Sequence, residues 1–133
     1  MVVFLLALSS CAISQRISKN DLNCPDAPKC VSSQDSKKIN FIEPFTFSDQ
    51  PENAILRLKS ALLSEKRVTI IEETSTYIKA EVRSLIFRFV DDVEFRLSSE
   101  NSLIKIRSSA RIGYFDFGVN RRRIEKIRKL FDK

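Results

Sequence analysis

The chain of 133 residues is 43% hydrophobic and 30% charged, with only 2 Gly and 4 Pro; this suits one packed domain and excludes collagen-like, mucin-like and wholly disordered classes. It has no His and no Trp, which removes Ser–His and Cys–His nucleophile pairs and imidazole zinc sites, so neither a metal nor a cofactor is expected. The net charge of +6 is uneven, −3 over residues 39–102 and +7 over residues 103–133, so the basic end either docks on the acidic middle of the same fold or attracts phosphate-like anions.

Met1–Leu8 is an apolar run too short to span a bilayer. Followed by small residues, it has the shape of a secretory signal at its lower length limit. Leu8-Ser9-Ser10-Cys11 resembles the bacterial lipobox, whose cysteine becomes the acylated first residue of the mature chain. That resemblance implies a signal peptide over residues 1–10, lipidation of Cys11, and an exported protein anchored in a membrane and facing the periplasm. More than one acyl chain is what stable anchoring requires. Ala12 after the cysteine resembles the outer-membrane sorting pattern of a two-membrane host. The competing reading is an N-terminal strand of a cytosolic fold with an incidental cysteine.

Residues 11–23 read as the lipidated cysteine and a polar tether, and residues 24–133 as a single domain. Cys24 and Cys30 enclose two prolines, at a spacing wrong for a zinc knuckle or a C-x-x-C redox motif. After export their simplest state is a disulfide, worth ~2 kcal/mol for so short a loop. A cytosolic chain would keep two thiols.

Val31–Lys38 is polar and turn-rich, and Phe41–Phe47 looks extended, limited by Pro44 to an edge strand or irregular arm. Ser48 or Asp49 is a cap candidate before Pro51, and Ala54, Ile55, Leu58, Ala61 and Leu62 form one helical stripe. Four extended runs follow, at 68–73, 76–84, 86–97 and 103–112. Alternation in the third puts Phe87, Phe89, Val93, Phe95 and Leu97 on one face; the fourth sets Ile104, Ile106 and Ala110 against Lys105, Arg107, Ser109 and Arg111. Gly113 and Gly118 permit positive φ before a last helix over 120–131, with Asn120 as its cap and Ile124, Ile127 and Phe131 on its apolar side. The fold class is α+β: two layers, a mostly antiparallel meandering sheet of about four strands with an N-terminal and a C-terminal helix packed on one face.

The polar face carries Glu81, Arg83, Arg88, Glu94, Arg96, Lys105, Arg107 and Arg111. It reads either as solvated ion pairs or as an arginine-lined surface for an acidic ligand. Arg121, Arg122 and Arg123 open the last helix, where its dipole disfavours cations, so an offset is expected from Asp91, Asp92 or Asp116 or from an external anion. Asp91 interrupts the apolar face between Phe89 and Val93 and needs an arginine; Arg111 or Arg121 is the expected partner. Without a bulge at 90–92, Asp91 and Asp92 point to opposite faces and do not form a metal or acid–base pair. Asp116-Phe117-Gly118 spells the kinase magnesium triplet but lacks its companion motifs.

Three segments carry a resemblance: Cys24-Pro25 through Pro28-Lys29-Cys30-Val31-Ser32-Ser33, Phe89-Val90-Asp91-Asp92-Val93-Glu94-Phe95, and residues 107–123 from Arg107-Ser108-Ser109-Ala110-Arg111 to Arg121-Arg122-Arg123. Together they resemble domain-of-unknown-function family 1499, over about residues 22–131. The family's usual C-P-x-S-P-N-C-V-S-S has Ala27 and Lys29 here, and its S-x-S-R reads Ser108-Ser109-Ala110-Arg111, so the second serine is lost. The resemblance implies small bacterial proteins, many exported or lipid-anchored, with plastid relatives, and implies no activity. The favoured expectation is a non-catalytic envelope lipoprotein, with Arg107, Arg111, Arg121 and Arg122 as a site for an anionic small molecule or envelope component. The alternative is a small hydrolase-like enzyme using Asp91 or Asp116 with arginines on a phosphate- or glycan-type substrate. Nucleic acid is disfavoured as a partner, because the aromatics are not interleaved with basic residues as stacking platforms require.

Overall fold

The structure is a computed structural model that describes residues 22–133. The residues expected as signal peptide, Cys11 and most of the expected tether lie outside the described residues. In chain order the elements are β1 (Cys30–Ser32), β2 (Phe45–Thr46), α1 (Pro51–Leu63), β3 (Val68–Glu73), β4 (Tyr77–Arg83), β5 (Val90–Ser98), β6 (Leu103–Ala110) and α2 (Val119–Phe131). All strand pairings are antiparallel, in the order β1-β6-β5-β4-β3, with β2 also on β6.

Among the described residues the sheet therefore has six strands, not about four. The meander β3–β6 corresponds to the four alternating runs. The additional strands are too short to show a period: β1 pairs Cys30–Ser32 with Ser109–Arg107, and β2 pairs Phe45–Thr46 with Ile104–Leu103. They share one edge of β6, and Pro44, which has no N–H to donate, sits just before the second of them.

Alternate residues of the meander build the core, with Ile78, Val93, Phe95, Leu97, Ile104 and Ile106 buried. They share one cluster with Leu58 and Leu62 of α1 and with Ile124, Ile127 and Phe131 of α2. Phe45 lies at its centre, its ring 5.3 Å from that of Phe131 and 5.9 Å from that of Phe95. Two arginines close the lower end: Arg128 stacks over Phe45 and donates to the Pro44 and Glu43 carbonyls, while Arg57 stacks over Phe131 and donates to its carbonyl.

Local chemistry departs from expectation at three boundaries. The residue capping α1 is Gln50, with Pro51 in the first turn; Asp49 instead accepts two hydrogen bonds from Arg57. Leu22, expected in the tether, is buried, and its carbonyl accepts from the Ser32 hydroxyl, so packing begins before Cys24. The run 86–97 is not one strand. Ser84 and Phe89 close a turn through Ser84 N–H to the Phe89 carbonyl and Phe89 N–H to Ser84 Oγ, and Arg88 takes φ 55°. Phe87 and Phe89 consequently leave the core face and are exposed. Cys24 and Cys30 form a disulfide with their Cα atoms 5.6 Å apart. Among the described residues, no helix is long and apolar enough to cross a membrane.

Candidate functional site

On the inner face of the sheet the apolar sequence stops before the strands do. Along β5 the inward positions run Leu97, Phe95, Val93 and then Asp91; along β6 they run Ile104, Ile106 and then Ser108 and Ala110. The register pairs Asp91 with Ala110 and Val93 with Ser108. The first turns of α2 bring the complement. Its buried stripe is Asn120, Ile124, Ile127 and Phe131, and Arg123, three residues after Asn120, falls on the edge of that stripe facing the sheet.

A connected polar group results. Arg123 Nη2 donates to Asp91 Oδ2 at 2.8 Å and Nη1 donates to Asn120 Oδ1 at 2.8 Å. The Ser108 hydroxyl donates to Asn120 Oδ1 at 2.6 Å. Asn120 Nδ2 donates to Asp116 Oδ2 at 2.9 Å and to the Lys29 carbonyl at 3.2 Å, linking the helix to the disulfide loop. The ion pair is mostly buried, with Arg123 and Asp91 side chains 15% and 14% exposed.

The N-cap of α2 is Gly118, not Asn120, and the carboxylate that serves the helix start is Asp116, two residues earlier. Its Oδ1 accepts from the Gly118 N–H at 2.9 Å and its Oδ2 from the Asn120 N–H at 3.1 Å. Burial alone would raise the Asp116 carboxyl, but the hydrogen bonds from Asn120 and Gly118 together outweigh it and hold the group below the ordinary carboxylate value. The turn into α2 takes φ 56° at Phe117 and φ 74° at Gly118. A phenylalanine in this region costs ~1 kcal/mol, and the conformation holds its ring outward.

Above the ion pair is a cavity of about 370 Å³. Asp91, Asp116, Arg123 and Ser84 contribute its polar lining, Ala110 sits beside Asp91, and Phe89, Ile112, Phe115 and Phe117 supply apolar wall. A smaller hollow of about 210 Å³ adjoins it between the disulfide loop and the start of α2, lined by Pro28, Ile39, Phe115 and Arg121 among others. The larger volume falls within the range of small-molecule sites, whose walls are mainly apolar with a few polar groups.

The expected arginine set does not share a ligand. Arg107 pairs with Glu94, whose other oxygen accepts from the Tyr77 hydroxyl at 2.7 Å; burial and that carboxylate push the Tyr77 phenol well above its usual value. Arg111 binds Asp92 through Nε and Nη2 at 2.7 Å each and also reaches Glu81. The Arg111 guanidinium holds the Asp92 carboxyl below its ordinary value. Arg121 donates to the Ile39 carbonyl and Arg122 to the Phe117 carbonyl. The partner of Asp91 is thus Arg123, not Arg111 or Arg121. Regular pairing through 90–92, without a bulge, sends Asp92 to the outer face with Arg111 and Asp91 to the inner face. Arg123, Asn120 and Ser108 were not among the expected site residues. Helical phase does pick them out, since position 123 shares the stripe of 120, 124 and 127 whereas 121 and 122 do not. Among the described residues, no cluster of His, Cys, Asp or Glu is placed to hold a metal ion.

Two outcomes are expected of this site. Replacing Arg123 with Met strands a mostly buried carboxylate and should cost about 3 kcal/mol in urea unfolding, whereas adding Asp91→Leu should return stability to within about 1 kcal/mol of wild type. Asp116→Ala should cost about 1–2 kcal/mol at pH 7 through loss of the cap. Because the native carboxyl is lowered, its charge stabilises the fold above the unfolded-state value near 4. The wild-type advantage should therefore shrink as pH falls below about 4, as measured by unfolding at successive pH values.

Residues 22–131 match the model of the family described as "Protein of unknown function (DUF1499)". The search of curated proteins finds no match to the chain.

Proposed function

The chain belongs to the DUF1499 family of proteins of unknown function, and from that premise we propose that it is an envelope lipoprotein whose domain binds a small amphipathic molecule without transforming it. The observation that carries the binding reading is the cavity over Asp91 and Arg123, with apolar walls around a polar floor in which Arg123 is bonded to Asp91 and Asp116 adds a second carboxylate. A ligand with a hydrocarbon or ring body and one hydrogen-bonding group fits that division, because the floor offers both a donor and an acceptor while the walls reward apolar area. A free phosphate fits it poorly, since Asp91 already balances Arg123.

The lipoprotein part is supported by the lipobox-like Leu8-Ser9-Ser10-Cys11 and by the Cys24–Cys30 disulfide, a bond that suits an oxidising compartment. On this reading Cys11 is acylated after removal of residues 1–10, and the domain faces the periplasm, on the outer membrane where the host has two. The anion-binding role first assigned to Arg107, Arg111, Arg121 and Arg122 narrows to Arg121 and Arg122. Among the described residues these two contact carbonyls, whereas Arg107 and Arg111 are engaged by carboxylates.

One observation also favours a second reading, a small hydrolase-like enzyme: a carboxylate and an arginine do line the same cavity. Binding is preferred because both are committed. Arg123 holds Asp91 and Asn120, and Asp116 holds the helix start, so acid, base or nucleophile would have to be withdrawn from a satisfied network. The position at which the resemblance expects a second serine is Ala110, which lines the cavity without a hydroxyl to activate.

Two measurements test these proposals. Cys11→Ser should release the protein from host membranes and abolish acyl mass on the mature chain; unchanged membrane association and an unmodified full-length wild type would overturn the lipoprotein reading. Ala110→Phe, which fills the cavity, should weaken binding of N-phenyl-1-naphthylamine, an uncharged fluorescent probe with an aromatic body and one N–H, by at least about tenfold with little change in unfolding midpoint. Equal binding by the two proteins would remove the cavity as the site. Turnover of a phosphate or glycoside ester that disappears in Asp91→Asn would favour the enzyme.

A further inference from the structure

We infer that the end of the domain formed by the 84–89 turn and the 111–118 loop rests on an anionic bilayer surface, with the cavity opening towards the lipid. The turn carries Leu85, Ile86 and Phe87, 69%, 80% and 73% exposed, and the loop carries Tyr114 and Phe117, 70% and 76% exposed. These side chains belong to connections at the same end of the sheet: β4 ends at Arg83 opposite Val90, and the Arg111 N–H bonds the Val90 carbonyl. Both connections contribute walls to the same cavity, through Phe89 from one side and Ile112, Phe115 and Phe117 from the other. Two neighbouring apolar projections around one opening form a patch, not scattered surface residues.

The charges around the patch identify its partner. Between Ser84 and Val90 the sole ionisable residue is Arg88. Between Arg111 and Val119 the ionisable side chains are Arg111, Tyr114 and Asp116, and Asp116 is bonded to the helix start and lines the cavity below the rim. Immediately behind come Arg121 and Arg122, whose guanidinium groups contact carbonyls and, among the described residues, pair with no carboxylate. They also sit in the first turn of α2, where the helix dipole repels cations. Apolar and aromatic tips backed by arginines match an interface of acyl chains under anionic headgroups. A second copy is a poor fit, because a two-fold contact through this patch would bring Arg88, Arg121 and Arg122 of both chains together. The inference does not depend on acylation of Cys11.

The chain has no Trp of its own, so single tryptophans report single places. Full-length Phe87→Trp and Asn101→Trp, the latter in the β5–β6 turn at the opposite end of the sheet, would be mixed with vesicles of phosphatidylcholine and phosphatidylglycerol carrying brominated acyl chains. Bromine should quench Trp fluorescence at 87 at least about threefold more than at 101. The difference should fall in pure phosphatidylcholine or when Arg121 and Arg122 are both replaced by Gln. Equal quenching at the two positions would overturn the inference, as would a lipid-free dimer that shields position 87 and persists in the presence of vesicles. Binding of N-phenyl-1-naphthylamine is read without vesicles, so failure of the docking surface and failure of the cavity are distinguishable. Quenching also reports which end meets lipid whether or not Cys11 is acylated.

Discussion

The pairing of Asp91 with Arg123 is the constraint on which this end of the molecule depends. A carboxylate on the inner face of a sheet is tolerable only with a partner that also leaves water. The one supplied comes from the first turns of the last helix, 2.8 Å away. Fixing Arg123 there fixes the helix in rotation, and Ile124, Ile127 and Phe131 follow it into the core. The same commitment places Asn120 between Ser108 of β6 and the Lys29 carbonyl beside the disulfide, so strand, helix and loop meet through one amide. Gross burial stabilises the fold as in any domain; the polar group decides how its parts are registered.

Charge on the rest of the molecule is apportioned by the same logic. Of the basic residues in the last part of the chain, Arg107, Arg111, Arg123 and Lys126 pair with Glu94, Asp92 and Glu81, Asp91 and Glu65, all from the acidic middle. Much of the uneven charge visible in the sequence is therefore internal complementarity. Exposed members such as Lys126 with Glu65 add little individually. Arg128 does more through its place than its charge, because it covers Phe45 and satisfies two carbonyls of the arm before β2. Arg121 and Arg122 stand outside this set of carboxylate pairs.

The sequence made the meander and both helices legible because each has a period that burial enforces. The extended arm over 41–47 contains β2, but neither β1 nor the strand that each of them joins was legible; their three and two residues are placed by β6 from more than fifty residues away. Nor did alternation distinguish Phe87 and Phe89 from Val93 and Phe95: period two records which residues share a face and says nothing of where the strand ends. The turn is set instead by the Ser84–Phe89 hydrogen bonds and the positive φ of Arg88. The need of Asp91 for an arginine was visible from its apolar neighbours. The identity of that arginine required the phase of the last helix, in which 123 faces inward and 121 does not. Asn120, expected as the cap, lies inside the helix and bonds the Ser108 hydroxyl and the Lys29 carbonyl; the cap position falls to Gly118, and Asp116 accepts from the N–H groups of both Gly118 and Asn120.

The cavity and the exposed apolar rim have a common origin in where the core stops. Asp91 at the last inward position of β5 and Ser108 at the last but one of β6 stand where the core residues before them are apolar, and Asn120 and Arg123 cover them from the helix. Leu85, Ile86 and Phe87 therefore have no apolar floor on which to fold back, and the same polar ground lies beneath the 111–118 loop. Folding either connection over Asp91 and Arg123 would trade an ion pair open to the cavity for a fully dry one, whose desolvation exceeds its Coulombic gain unless every remaining hydrogen bond is made. Two apolar side chains at 91 and 123 would lift that barrier, letting the turn and loop close over a continuous core at little loss of stability. The ion pair is then best understood as what keeps this end open: it contributes modestly to the folded state and prevents the rim from becoming core.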